Sequence, residues 1–258
     1  MQKLFIKNRK NQKLAVIIDQ SGNPQGLAFI MHGLGGFKEQ LHIKTFAKSF
    51  KNADYTVVRF DTTNTFGESD GDYGNATTTN YYEDLEDVIG WAENQKFYQA
   101  PFSLIGHSLG GLCVALYAEK YPEKIKGLAP ISTVVSYELS CETSKYKKTM
   151  EEWRRTGWRV TESSSQPGLI KRLKWSHMID RSKYNLLPEA NKLTMPVLMI
   201  VGDQDDSTLP EHQKIFYERL PGKKEFHIIK GATHTFKDPE HLKELEEIFD
   251  QWIKKFSF

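Results

Sequence analysis

A serine between two glycines is the residue of this chain with the clearest capacity for chemistry. Residues 106–110 read Gly-His-Ser-Leu-Gly, the pattern G-x-S-x-G around Ser108. An apolar run at 102–105 precedes the motif, and apolar residues at helical spacing follow it up to Pro122. A serine on a tight strand-to-helix turn presents its hydroxyl outside the fold, and glycines allow the backbone to make that turn. The pattern predicts a nucleophilic serine.

A nucleophilic serine requires a base, and the base requires an orienting carboxylate. In the strand-to-helix arrangement, the carboxylate and then the histidine follow the serine along the chain, each at the end of a later strand. The apolar run 196–202 predicts a buried strand, and three acids follow it, Asp203, Asp205 and Asp206. One of these acids is a candidate orienter, although aspartates also favour plain turns.

The candidate base is His234, in a loop that follows the strand pattern 225–230. Two other histidines fit the role less well. His227 lies inside that strand pattern, and His212 lies in a helical pattern, where we expect a surface residue. His234 is predicted as the base because it follows the end of a late strand.

The oxyanion formed by attack on a carbonyl needs backbone N–H donors, each worth about 2.7–4 kcal/mol. One donor is expected from the residue after the nucleophile, Leu109, and another from a loop after an earlier strand. The strand pattern 26–31 leads into a His-Gly-rich stretch at 32–36, which is the candidate loop. A flexible glycine turn is the alternative. His32 is expected to be structural rather than a second base.

The His-Gly-rich loop, the serine motif, the acidic cluster and the histidine loop resemble those of α/β-hydrolases in type and order. The segment 202–210 resembles the G-x-x-D…P loop of that family, which implies that Asp205 is the orienting acid. The His-Gly-rich stretch resembles the family's oxyanion loop, which implies the amide of Leu34 as the second donor. The resemblance therefore implies a triad of Ser108, Asp205 and His234, with Leu34 and Leu109 as the oxyanion donors.

A second resemblance narrows the family. Residues 67–71 read Gly-Glu-Ser-Asp-Gly and resemble part of the D-x-x-G-x-G-x-S-x-G signature of serine-aminopeptidase-like and monoglyceride-lipase-like hydrolases and of the related feruloyl (cinnamoyl) esterases. The stretch from Asp61 to Gly67 is one residue longer than the signature and lacks its first glycine. We expect this loop to shape one wall of the pocket, so the resemblance implies a fold and a reaction class but not a substrate.

Alternating strand and helix patterns predict an α/β fold with a doubly wound, mostly parallel, eight-stranded sheet, the α/β-hydrolase fold. The predicted strands are 4–9, 13–19, 26–31, 55–61, 102–107, 125–131, 196–202 and 225–230. The first two are expected to form an antiparallel hairpin. The predicted helices are 39–52, 80–96, 109–121, 210–220 and 239–256. Asn80 and Glu83 resemble a capping pair for the second helix.

The alternation breaks between residues 132 and 190, a gap too long for an ordinary connection. We expect a hydrolase core of residues 1–131 and 191–258, and a small, mainly helical cap formed by residues 132–190, called the insertion below. Its tryptophans, Trp153, Trp158 and Trp175, would face the cleft or join the cap to the core, and 163–168 would form an exposed turn. Its basic residues outnumber its acids. We expect these basic residues to form a solvated face, and attraction of an anionic substrate is the alternative.

Composition limits the remaining classes of function. The net charge of +2 does not indicate binding to nucleic acid, and the apolar runs are shorter than the roughly 20 residues of a membrane-spanning helix. Cys113 and Cys141 do not make a disulfide framework, and the N-terminus lacks a secretory signal, so a cytoplasmic protein is expected. No metal or cofactor is expected, because no metal-ligand spacing or phosphate-binding loop occurs. The protein is expected to be a monomer or a homodimer.

The expected function is hydrolysis of a small-molecule carboxylic ester with a small or medium acyl group, through an acyl-enzyme intermediate, as in EC 3.1.1 carboxylesterases. The same triad would serve an aminopeptidase, an amidase or an acyltransferase. An aminopeptidase needs acidic groups to hold the substrate ammonium, and the basic insertion disfavours it. A non-catalytic binding protein on the same fold is the remaining alternative.

Overall fold

The computed structural model describes residues 1–162 and 168–256. The strands in these ranges are β1 (Gln2–Lys7), β2 (Lys13–Asp19), β3 (Gly26–Met31), β4 (Tyr55–Phe60), β5 (Phe102–His107), β6 (Ile125–Ile131), β7 (Trp158–Glu162), β8 (Ile170–Lys174), β9 (Val197–Gly202) and β10 (Lys224–Ile229). The helices are α1 (Leu41–Asn52), α2 (Thr78–Ala92), α3 (Leu109–Lys120), α4 (Tyr137–Glu142), α5 (Ser144–Thr156), α6 (Ser176–Arg181), α7 (Pro210–Arg219) and α8 (Pro239–Phe256).

One eight-stranded sheet forms the centre of the fold, in the order β1-β2-β4-β3-β5-β6-β9-β10. The pairs β1–β2 and β2–β4 are antiparallel. The pairs β4–β3, β3–β5, β5–β6, β6–β9 and β9–β10 are parallel. The predicted mostly parallel, eight-stranded sheet and its N-terminal hairpin are confirmed. Since parallel strands end at the same edge, the loops after β3, β5, β9 and β10 emerge together.

Helices cover both faces of the sheet. On one face, α2 and α3 bury Leu85 and Leu112 against alternate strand residues such as Leu104. On the other face, α1 and α8 meet through Phe46 and Phe249, whose ring centroids are 4.9 Å apart. Every residue of β5 and β9 is buried, because strands covered on both faces have no solvent side. This double coverage explains the unbroken apolar runs in the sequence.

The predicted strand bounds agree with the observed ones to within two residues. The second helix begins two residues before its predicted start and ends four residues before its predicted end, and the predicted Asn80 cap is wrong. The helix α2 begins at Thr78, and its N-cap is Thr77, whose hydroxyl accepts a hydrogen bond from the amide of Asn80 at 3.1 Å. Asn80 therefore lies inside the first turn. Threonine and asparagine are both good N-caps, and the sequence pattern alone did not discriminate between them.

The insertion contains α4, α5, the antiparallel hairpin β7–β8 and α6. The helices were expected and the hairpin was not, because charged residues on both faces of β8 hide the alternation of a strand. Trp153 is buried, and its indole N–H donates to the carbonyl of Leu173 at 3.0 Å, so it joins α5 to the hairpin. The predicted turn at 163–168 lies largely outside the described residues.

The helices and the two cysteines of the described residues relate to the expectations drawn from composition. None of the helices there is long and apolar enough to cross a membrane. Both cysteines are free thiols: Cys113 is buried in α3, and Cys141 is half-buried in the insertion. Burial raises the pKa of the Cys113 thiol, which therefore stays protonated.

Candidate active site

Ser108 occupies a strained turn between β5 and α3. Its φ is +57°, a value that non-glycine residues rarely adopt, and its amide donates to the carbonyl of Ile131 at 2.9 Å. A Cβ at position 110 would overlap the carbonyl of His32, which explains the second glycine of the motif. The turn therefore holds the serine side chain at the carboxyl edge of the sheet.

His234 lies between Ser108 and Asp205. Its Nε2 is 2.9 Å from Oγ of Ser108, and its Nδ1 is 2.8 Å from Oδ2 of Asp205. These distances are within the normal range for hydrogen bonds. The structure thus brings together three side chains that are distant in sequence and that follow three different strands. With Nδ1 donating to the carboxylate, Nε2 is left to accept the proton of the serine.

Asp205 is enclosed by hydrogen-bond donors. Its Oδ1 accepts from the amides of Ser207 and Thr208, both at 2.9 Å, and its Oδ2 accepts from the hydroxyl of Thr208 at 2.8 Å. Burial acts to raise the pKa of this carboxyl, but His234 and the two amides outweigh burial and lower the pKa below its ordinary value. The carboxylate is therefore ionised and fixed in orientation.

The two neighbouring acids have other positions. Asp203 accepts a hydrogen bond from the amide of Gly231 at 2.6 Å and so ties the loop after β9 to the loop after β10. Asp206 is exposed, and its carboxylate accepts from the hydroxyl of Ser207 at 2.9 Å. Neither acid lies within hydrogen-bond distance of His234, so Asp205 is the acid that the fold directs to this imidazole.

The loop after β3 packs directly against the serine. A Cβ at Gly33 would lie 2.9 Å from the Cβ of Ser108 and 3.0 Å from the carbonyl of His107. Leu34 follows in this loop and Leu109 is the first residue of α3, and both line the same cavity as Ser108. The N-terminus of α3 adds a partial positive charge at this position.

His32 supports that loop. Its ring Nδ1 donates to the carbonyl of Gly33 at 2.7 Å, and its Nε2 accepts from the amide of Thr62 at 3.1 Å. The ring is fully buried, and burial lowers its pKa. A neutral imidazole with both nitrogens engaged by backbone is structural, as we expected, and has no capacity to act as a second base.

A buried ion pair beside the loop was not predicted. The ammonium of Lys38 is 2.7 Å from Oδ2 of Asp61, and the amide of Lys38 donates to Oδ1 of the same carboxylate at 2.7 Å. Both side chains are almost fully buried. Asp61 also accepts from the amide of Glu68 at 2.8 Å. The pair fastens the loop after β3 to the loop after β4, and a lysine in a glycine-rich stretch carries no local signal of burial.

A cavity of about 230 Å³ opens beside Ser108 and His234. The insertion contributes Tyr146, Arg159 and Lys171 to its wall. None of the insertion's tryptophans lines this cavity within the described residues, and Trp153 and Trp175 pack in the core, which agrees with the second of the two alternatives for them. The loop 61–67, expected to shape one wall of the pocket, does not line the cavity, whereas Tyr73, further along the chain, does.

Two other histidines lie apart from the group formed by Ser108, His234 and Asp205. His212, expected at the surface, is buried, because α7 packs beneath the insertion, and its Nε2 is 3.8 Å from Glu142. His227 lies on β10, 3.3 Å from Glu225. In the part of the chain that the structure describes, no three His, Cys, Asp or Glu side chains group in a way that could hold a metal ion.

Residues 22–177 match the family model described as serine aminopeptidase, S33, which is more than half of the chain. With the mostly parallel sheet described above, this match defines an α/β-hydrolase. The chain belongs to the serine aminopeptidase S33 family and is a hydrolase. Residues 160–257 also match a model described as PhoPQ-activated pathogenicity-related protein.

Three similar proteins extend the comparison along the chain. An uncharacterized 31.7 kDa protein of the traX-finO intergenic region of Escherichia coli is 26% identical, covering 89% of this chain and 90% of its own. The mitochondrial palmitoyl-protein thioesterase ABHD10 of Bos taurus is 25% identical, covering 92% of this chain and 75% of its own. The structure of Est1E from Butyrivibrio proteoclasticus with bound ferulic acid superposes with a TM-score of 0.78 at 23% identity, covering 98% of each chain, and supports the fold.

Proposed function

We propose that the protein is a serine hydrolase that cleaves carboxylic esters of small or medium acyl groups through an acyl-enzyme intermediate. The position of His234, within hydrogen-bond distance of both Ser108 and Asp205, is the observation that supports this most directly. The ionised Asp205 supports it further, because it stabilises the imidazolium that forms during catalysis.

In this mechanism Ser108 Oγ attacks the ester carbonyl carbon while His234 Nε2 takes the hydroxyl proton. The amides of Leu34 and Leu109 donate to the oxyanion of the tetrahedral intermediate. The intermediate collapses with breakage of the ester C–O bond, and the His234 imidazolium gives its proton to the leaving alkoxide. Water then enters, is deprotonated by His234 and attacks the acyl carbonyl carbon. The bond from that carbon to Ser108 Oγ breaks, the His234 imidazolium returns its proton to Oγ, and the acid is released.

The insertion acts as a cap over the cavity in this proposal. Tyr146, Arg159 and Lys171 form one wall of the cavity, and Ser108 and His234 lie on the other side of it. A wall that excludes bulk water strengthens the electrostatic interactions within the site.

Two alternatives use the same triad. An aminopeptidase would have to hold an ammonium group beside Arg159, Lys171 and Arg181, and like charges repel. Palmitoyl-protein thioesterase is the activity in the name of the bovine relative. A long acyl chain would need an apolar channel, whereas this cavity is small and has Arg159 and Lys171 in its wall. Both observations favour a short ester.

The proposal is tested by labelling with a fluorophosphonate probe and by burst kinetics with p-nitrophenyl butyrate. The wild-type protein is expected to be labelled at Ser108 and to release a burst of p-nitrophenol. Ser108→Ala is expected to lose both signals. Ser207→Ala is the matched control, because its hydroxyl lines the same cavity but hydrogen-bonds to Asp206 and Lys145. Unlabelled wild-type protein without esterase activity would refute the proposal.

A further inference from the structure

The β7–β8 hairpin turns two cationic side chains toward the cavity and leaves two apolar side chains exposed on its outer face. Arg159, Thr161, Lys171 and Leu173 share one face, because Arg159 pairs with Leu173 and Thr161 with Lys171. Arg159, Thr161 and Lys171 line the cavity beside Ser108. On the opposite face, Val160 is 58% exposed and Ile170 is 55% exposed. Leu173 on the inner face is buried in the core, whereas Arg159 and Lys171 on the same face line the cavity. The inner face of an ordinary surface hairpin is apolar, so the stability of the hairpin alone does not explain these two cations.

The inward cations lack acidic partners. Among the described residues, no carboxylate lies within ion-pair distance of Arg159, Lys171 or Arg181, and residues 163–167 contain no Asp or Glu. The cavity has one acidic side chain in its wall besides these cations, Glu162, which is exposed and accepts from the amide of Gly168 at 2.8 Å. Arg159 and Lys171 are half-buried, and a partly desolvated cation without a counter-charge favours the binding of an anion.

The cations are held in place by aromatic rings and hydroxyls. The guanidinium of Arg159 lies 4.5 Å from the ring centroid of Trp153. Arg181 is buried, and its two terminal nitrogens donate to the hydroxyls of Tyr146, at 2.9 Å, and Ser140, at 2.7 Å. Such contacts hold a guanidinium in one orientation. Arg159 is therefore oriented in advance for an anion.

The pKa values of Tyr146 and Lys171 are both lowered, in part by the positive charges that line the cavity. Burial acts to raise the pKa of the Tyr146 hydroxyl, but the charges of Arg181 and Arg159 outweigh it and lower the pKa to about 7. The pKa of Lys171 is lowered by burial and then by the charge of Arg159. Both directions are those expected where positive charges lie close together.

We propose that the substrate carries a second group, a carboxylate or a phosphate, and that Arg159 and Lys171 bind this oxyanion while the scissile carbonyl lies at Ser108. The proposal rests on the esterase function proposed above and names its substrate class. Guanidinium and ammonium groups bind both kinds of oxyanion, so the structure assigns the charge, and the choice between the two is left to the experiment.

The test compares kcat/KM for pairs of esters that differ in one anionic group. Monomethyl adipate is paired with methyl hexanoate, and 1-butanoylglycerol 3-phosphate is paired with 1-butanoylglycerol. In at least one pair, the anionic ester is expected to be favoured by about 10-fold to 100-fold, the range for one charge-assisted hydrogen bond. This preference is expected to weaken as ionic strength rises. The pair that shows it identifies the oxyanion.

Lys171→Met is expected to reduce that preference by about 10-fold, because it removes the charge and keeps most of the stem. Lys174→Met is the matched control: it removes a lysine from the same strand, but from the outward face, where the ammonium contacts Asn75. It is expected to keep the wild-type preference. Thermal unfolding of both variants checks that they are folded.

The outcomes separate this inference from the proposed function. If Ser108 is labelled by fluorophosphonate and neutral esters are cleaved, but neither pair shows a preference for the anion, the inference is overturned and the esterase stands. An equal loss of preference in Lys171→Met and Lys174→Met also overturns it. Absence of labelling and of ester cleavage in the wild-type protein overturns both.

Discussion

The imidazole of His107 donates a hydrogen bond from Nε2 to the main-chain carbonyl of His234 at 2.7 Å. His107 is the residue directly before Ser108 in the G-x-S-x-G motif. The turn that positions the serine is therefore also bonded to the loop that carries the proposed base, His234. The ring is buried, and burial, followed by the nearby ring of His42, holds the pKa of His107 well below its ordinary value. The neutral ring donates through Nε2 because the carbonyl is an acceptor only.

His107→Ala is expected to leave the His234 carbonyl without this donor and to lower the free energy of unfolding by about 1–3 kcal/mol. His107→Gln keeps an amide donor near the position of Nε2 and is expected to recover most of that loss. Urea unfolding followed by tryptophan fluorescence measures both variants. Equal stabilities of the alanine variant and the wild-type protein would show that the hydrogen bond carries no net energy.

Asp205→Asn is expected to lower kcat for p-nitrophenyl butyrate by about 10⁴-fold. The side-chain carbonyl of the asparagine would still accept the hydrogen bonds from the amides of Ser207 and Thr208. The NH₂ group of the asparagine would then face Nδ1 of His234. That nitrogen would then become an acceptor, and the proton would sit on Nε2, where the serine needs a base.

The control for this substitution is Asp203→Asn in the same loop. Its carbonyl oxygen is still able to accept the hydrogen bond from Gly231, so kcat is expected to stay near the wild-type value. A comparable loss of activity in the two variants would contradict the assignment of Asp205. Circular dichroism of both variants separates loss of chemistry from loss of fold.

The positions of Ser108, Asp205 and His234 were predictable because each follows a strand with a strong local pattern. Parallel strands end at one edge, so chain order and strand ends suffice to bring such residues together. The bond between His107 and His234 was not predictable in this way. It joins side chain to main chain across 127 positions, and no local pattern encodes that distance.

The hairpin β7–β8 was not predictable from the sequence for a different reason. Strand recognition relies on apolar residues facing inward and polar residues facing outward. Here Arg159 and Lys171 face the cavity, whereas Val160 and Ile170 face solvent. The basic excess of the insertion was noticed in the sequence, but the interpretation as a solvated face was wrong for Arg159 and Lys171. Sequence rules fail here because the inner face of this segment lies on the core at Leu173 and on the pocket at Arg159 and Lys171.

Gly33→Ala is expected to lower kcat by about 10²-fold to 10³-fold, the range for loss of one oxyanion donor. The added Cβ would lie 2.9 Å from the Cβ of Ser108, so the loop would have to move and would carry the amide of Leu34 with it. Gly90→Ala is the matched control, because a Cβ there has no neighbour within 4 Å and the site lies inside α2. Steady-state kinetics with p-nitrophenyl butyrate compare the two, and a fully active Gly33→Ala would contradict Leu34 as a donor.

His177 provides a prediction for the pH dependence of stability away from the triad. Its Nδ1 donates to the carbonyl of Ala76 at 3.0 Å, so it joins α6 to the segment before α2. Burial, and then the charge of Arg181, lower the pKa of His177 from 6.5 to about 3. Protonation therefore favours the unfolded chain.

The stability that neutral His177 contributes is fully present above the unfolded pKa of about 6.5. It is lost as pH falls from that value toward the folded pKa of about 3, at a rate of up to about 1.4 kcal/mol per pH unit. His177→Gln keeps a donor for Ala76 but does not titrate. Its free energy of unfolding in urea is expected to fall less steeply than that of the wild-type protein between pH 6.5 and pH 4. Ser182→Ala, at an exposed position directly after α6, changes no titratable group and is expected to retain the wild-type slope. Parallel slopes for His177→Gln and the wild-type protein would mean that this ring accepts a proton within the folded state.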